Sequence, residues 1–96
     1  MLRHIVLQKF KSDASLEQRA ALRAAVERMA AALPEARSLV CGPNVGNGPN
    51  HHDFAVVIDF DDMPAFRRYI ESPAHRAYVA EHAGIVEKLA AIQHEW

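Results

Sequence analysis

Phe54-Ala55-Val56-Val57-Ile58-Asp59-Phe60 decides how this chain folds, because the β-branched and aromatic residues that suit a strand occur there at both parities. Alternate side chains of a strand point to opposite faces, so Phe54, Val56, Ile58 and Phe60 claim one face while Ala55 and Val57 claim the other. Both faces of the strand therefore require cover. The opening run, Leu2-Arg3-His4-Ile5-Val6-Leu7-Gln8-Lys9-Phe10, repeats the pattern, with Val6 and Phe10 on one parity and Ile5 and Leu7 on the other.

Working outward from Phe60, Asp61-Asp62 can cap a helix that tolerates Pro64 in its first turn, and Phe66, Tyr69 and Ile70 give that helix an apolar side. Ser72-Pro73 then interrupts it. Ser72 stands where an N-cap is wanted, Pro73 suits a first helical position, and a second short helix carries His75, Tyr78, Val79 and His82 before a break at Gly84. Leu89 to Trp96 reads as a closing strand. On the N-terminal side, Gly42 to Asn50 is rich in turn formers and follows a strand at Leu39-Val40-Cys41. Before it, Leu22, Val26, Met29 and Leu33 recur at helical spacing after a Ser15/Gln18 capping box, and the helix stops at Leu33-Pro34.

The resulting order, β-α-β-β-α-β, is the α+β ferredoxin-like plan, a four-stranded antiparallel sheet with helices on one face. Residues 1–96 are expected to form a single domain, since one core normally serves chains of up to ~200 residues. Two helices cannot cover two faces, so the second face is expected to meet its own copy across a two-fold axis in a homodimer.

Eleven basic and twelve acidic residues leave a formal charge of −1, which provides no field for nucleic acid or an anionic membrane. Cys41 is the single cysteine, so no intrachain disulfide can form and a reducing compartment fits best. With no signal-like opening and no apolar run near the ~20 residues of a membrane span, a soluble cytoplasmic location is expected. His51-His52-Asp53 offers three potential metal ligands, but adjacent strand residues point apart, so a solvated loop is the default and no metal is expected. Gly42, Gly46 and Gly48 lack the spacing and lysine of a phosphate loop.

The candidate chemistry centres on Tyr69-Ile70-Glu71-Ser72-Pro73-Ala74-His75. On an unbroken helix, Tyr69 and His75 would lie on different faces, so the Ser72 corner decides where they point. An imidazole near its ordinary pKa of ~6.5 can take a proton from carbon beside a carbonyl, while a phenol of pKa ~10 stays protonated and can donate to the resulting oxyanion. Such a pair needs no cofactor. His4 shares a parity with Val6 and is expected to point between sheet and helices.

Arg3-His4-Ile5-Val6-Leu7-Gln8-Lys9-Phe10-Lys11, Ala55-Val56-Val57-Ile58-Asp59-Phe60, Ser72-Pro73-Ala74-His75 and the terminal Glu95-Trp96 resemble the stress-responsive A/B barrel (Dabb) family of dimeric α+β barrels. The resemblance extends over essentially the whole chain. It implies two ferredoxin-like subunits whose sheets join into one central barrel. The family includes proteins of unknown role, a very stable plant stress protein that builds rings, and olivetolic acid cyclase, a polyketide cyclase. By resemblance to the cyclase, His75 and Tyr69 carry an intramolecular aldol condensation, His4 matches a first-strand histidine, and Phe54 stands where the cyclase has a third-strand histidine. His4, Phe54 and Phe66 are the expected substrate-binding residues. The leading expectation is a small carbonyl-rich or aromatic ligand between sheet and helices, with cofactor-free cyclase or lyase chemistry. A stress-response or structural oligomer without substrate is the alternative, and it requires side chains such as Val6, Val56 and Phe66 to fill that space. A heme enzyme ranks last, because Cys41 alone makes no heme-attachment motif.

Overall fold

A computed structural model describes residues Met1–Trp96. Strand β1 spans Leu2–Phe10, helix α1 Leu16–Ala32, β2 Ser38–Pro43, β3 Phe54–Phe60, α2 Met63–Glu71, α3 Pro73–His82 and β4 Val86–Glu95, with a turn of 3-10 helix at Ala83–Ile85 between α3 and β4. The strands form one sheet in the order β2-β3-β1-β4, all neighbours antiparallel. This is the ferredoxin-like plan, with α2 and α3 together occupying the place of the second helix.

Local chemistry accounts for the ends of the helices. At α1, Ser15 Oγ accepts from the Gln18 backbone N–H at 3.0 Å while Gln18 Oε1 accepts from the Ser15 N–H at 2.9 Å, a closed capping box. Asp62 Oδ1 accepts from the Ala65 N–H at the start of α2. Three strand readings are extended by the structure. β2 runs through Gly42 and Pro43, which the sequence assigns to a turn, because as an edge strand it needs only β3 as a partner and tolerates a proline there. β4 begins at Val86 rather than Leu89, held to β1 through Phe10↔Val86 and Lys9↔Lys88, so that Glu87 is the extra residue of a bulge. Asp53, N-terminal to β3, donates its N–H to Gln8 O and accepts the Phe10 N–H on its carboxylate at 2.7 Å, which prolongs the β1–β3 pairing beyond Phe54.

Leu22, Val26 and Met29 of α1 pack with Val56, Ile58 and Phe60 of β3, Leu2 and Phe10 of β1, and Ala65 and Tyr69 of α2. This core lies wholly between the sheet and the helices. The opposite face presents Ile5, Leu7, Val40, Val57 and Ile92, of which Val40 is 70% and Ile92 57% exposed. Towards one end of that face, Arg3 lies over the Trp96 ring at 4.6 Å and forms a two-point ion pair with Asp59, which also accepts from Ser38 Oγ. No helix is long and apolar enough to cross a membrane.

Candidate functional site

β1 turns His4, Val6 and Gln8 toward the helices, the parity expected from Val6. Above them, Ser72 ends α2 and starts α3: its hydroxyl donates to Tyr69 O at 2.7 Å and accepts from the His75 N–H at 3.1 Å. The corner rotates His75 back over Tyr69, with ring centroids 5.0 Å apart and edge-on, an approach that an unbroken helix would forbid. His4 joins from below, 4.7 Å from the Phe66 ring and 6.3 Å from Tyr69.

These side chains border a cavity of about 390 Å³ between α1, α2, α3 and the sheet, open to solvent where Val79 and Leu89 line it. Its wall is mostly apolar, with Val26 and Met29 from α1, Val6 and Val56 from the sheet, and Val79 from α3. No lysine, arginine or carboxylate lines it. The polar tips are those of His4, Gln8, Tyr69, His75, Tyr78 and Gln93. The volume lies within the range of small-molecule sites.

Burial sets the protonation states. His4, only 6% exposed, is pushed down to about 4 by desolvation, with the nearby His75 adding a smaller effect of the same sign. The Gln93 amide nitrogen lies 2.9 Å from His4 Nδ1, an arrangement that a neutral imidazole accepts with its other nitrogen protonated. Desolvation also lowers His75, so at neutral pH it is uncharged and able to accept a proton. Tyr69, 3% exposed, is raised well above the ordinary phenol value by burial and stays protonated. His75 is held by its backbone N–H, leaving its ring nitrogens free of protein partners.

Of the residues singled out in the sequence, His4, Phe66, Tyr69 and His75 meet at this cavity and Phe54 does not. Phe54 is buried against Phe10, with centroids 6.2 Å apart, and borders a separate depression of about 320 Å³ beside His51 and His52. It lies four residues along β3 from Ile58, the residue opposite His4, so some four residue spacings of strand separate it from the His4 end. His51, His52 and Asp53 do not converge, and no group of three or more His, Cys, Asp or Glu side chains gathers anywhere in the chain. The Asp53 carboxylate is instead engaged by the Phe10 N–H. Gln8, Tyr78 and Gln93 are lining residues that sequence reading passed over. Gln8 carried a signal, a polar side chain on the buried parity of β1, and Tyr78 follows His75 by three residues, one helical turn on.

An uncharacterized protein of Streptomyces coelicolor is 33% identical over 82 residues, covering 83% of this chain and 84% of that one. Among solved structures, a dimeric ferredoxin-like protein of unknown function from Thermobifida fusca superposes with a TM-score of 0.89 at 32% identity, over 99% of this chain and 90% of that chain. The hydroxynitrile lyase of Passiflora edulis shares the fold with a TM-score of 0.87 at 22% identity, over 97% and 90% of the two chains. The model of the stress responsive A/B barrel domain matches residues 2–95, and the chain belongs to that family.

Proposed function

We propose that the cavity binds a small, uncharged, carbonyl-bearing or aromatic compound, and that His75 and Tyr69 move a proton at carbon next to its carbonyl without a cofactor. One observation carries the reading: an imidazole and a phenol with ring centroids 5.0 Å apart, neither side chain hydrogen-bonded to the protein, border one apolar cavity of about 390 Å³. In the forward step the neutral His75 ring takes the proton from the carbon α to the carbonyl, and the electron pair of that C–H bond delocalises into the enolate. Tyr69 donates a hydrogen bond to the enolate oxygen. Cyclisation or lysis follows according to which electrophile or leaving group the compound carries. The Passiflora edulis relative of the same fold being a hydroxynitrile lyase supports an enzyme reading. At 22% identity it assigns no substrate.

The dimeric relative from Thermobifida fusca, together with the half-exposed apolar face at Ile5, Val57 and Ile92, supports a homodimer formed through the open side of the sheet. That face is remote from the cavity, so each subunit holds its own site. A substrate-free structural role would require Val6, Val56 and Phe66 to close the space, whereas all three stand in its walls.

Acetophenone tests the chemistry, because its methyl protons exchange slowly in deuterium oxide and it combines a carbonyl with an aromatic ring. The protein should accelerate exchange above an equal concentration of free imidazole. His75→Ala should lose ~10²-fold or more of that acceleration, the usual scale for a positioned base, and Tyr69→Phe should lose part of it. Exchange no faster than with imidazole, or unchanged in His75→Ala, removes the proton-transfer role.

A further inference from the structure

Gln8 is the residue that the chemistry above leaves unexplained. It is 5% exposed, lies on the cavity-facing parity of β1 and borders the cavity. Its Nε2 donates to Tyr78 Oη at 3.1 Å, while Oε1 is the single buried side-chain polar atom in the chain without a partner. Turning the amide over does not cure this. Tyr78 would then donate to Oε1, and Nε2 would become the stranded atom. Either orientation leaves one shielded amide atom of a cavity-lining residue without a hydrogen bond, and buried polar groups in folded proteins are rarely left so.

We infer that Gln8 and Tyr78 form a second polar subsite, which receives a hydroxyl group of the ligand that His75 and Tyr69 act upon. A hydroxyl fits because it both donates and accepts, so it satisfies the amide in either orientation and can also take the Tyr78 proton in the orientation observed. A carboxylate or phosphate does not fit, since no cation lines the cavity. Position supports the assignment. Tyr78 lies one helical turn beyond His75, ring centroids 6.0 Å apart, while Gln8 lies one β1 spacing of four residues beyond His4. The subsite thus stands at one end of the cavity and the His4, Tyr69 group at the other. The ligand class that follows is a hydroxylated aryl ketone or its enol, carbonyl at the Tyr69 end and hydroxyl at the Gln8 end.

This inference rests on the cavity being a ligand site, and a matched pair of probes separates the two questions. Acetophenone and para-hydroxyacetophenone are titrated calorimetrically into the parent, Gln8→Met and Tyr78→Phe proteins. The parent should bind the hydroxylated ketone about tenfold more tightly or better, as expected where a buried polar group goes unpaired with the analogue. Gln8→Met should abolish that preference, read as the ratio of the two ketones' affinities within each protein, and Tyr78→Phe should reduce it. Should Gln8→Met fail to fold, Tyr78→Phe and the Gln8 side-chain amide resonances of the parent, expected to move with the hydroxylated ketone alone, read the same contact. Binding of both ketones with equal affinity overturns the subsite while leaving the cavity reading intact, and it assigns the open position to water. Retention of the preference in both variants also overturns it. Binding of neither ketone overturns both.

Discussion

Desolvation of an imidazole makes a fold sensitive to acid, and His4 is such a residue, with its folded pKa near 4 against an unfolded value of ~6.5. The unfolded chain binds a proton that the native state refuses, so stability is complete above pH ~6.5 and falls as pH drops from there toward 4. Between pH 7 and 5 this amounts to about 2 kcal/mol from His4, and the lowered His75 adds to it in the same direction. Urea unfolding at the two pH values should show the loss, and His4→Phe, placing another ring in the cluster with Phe60 and Phe66, should remove most of it. An unaltered pH dependence in that variant would show that His4 is not the acid-labile group. His4 was legible from its parity with Val6, and its depressed pKa was not, because that depends on the Phe66 ring that α2 lays against it.

At the scale of the element, the Ser72 corner connects sequence to site most directly. One hydroxyl terminates α2 at Tyr69 O and initiates α3 at the His75 N–H, so the two site residues are positioned by the same atom. Ser72→Ala should cost about 1 kcal/mol in unfolding free energy, as other N-cap deletions do. It should also slow acetophenone exchange by more than the stability loss explains, with Ser72→Thr restoring both. A rate identical to the parent's would mean that Pro73 and packing alone hold the corner. The break itself was readable from Ser72-Pro73, as was the capping box at Ser15. The start of β4 was not readable, because Val86 to Lys88 becomes strand only by pairing with Lys9 and Phe10 across a bulge, a partner that local sequence does not specify.

Across the whole molecule, one sheet serves two surfaces. The helix side of β1 and β3 is consumed by the core and the cavity, and the far side leaves Ile92 and Val40 largely exposed, an arrangement that a second copy would bury. The homodimer should run by light scattering at twice the chain mass. Ile92→Asp, which puts a carboxylate beside Ile5 on the open face, should shift it to the monomer at micromolar concentration. A monomeric parent would refute the assembly. Each cavity lies on the other side of its sheet, so monomeric Ile92→Asp should retain ketone binding to the extent that it remains folded.

Periodicity and backbone chemistry within a few residues are enough for the α+β order, the two-sided character of β1 and β3, the corner at Ser72, and the parity that sends His4 inward. Packing alone sets Phe54 away from the others, leaves a cavity above Val6 and Val56, and pairs Gln8 Nε2 with Tyr78 while Oε1 goes without a partner. The physical reason is that the latter depend on distances between residues as far apart in the chain as Gln8 and Tyr78, which are set by how α2 and α3 seat on the sheet. Local propensity carries no record of that seating, and packing does.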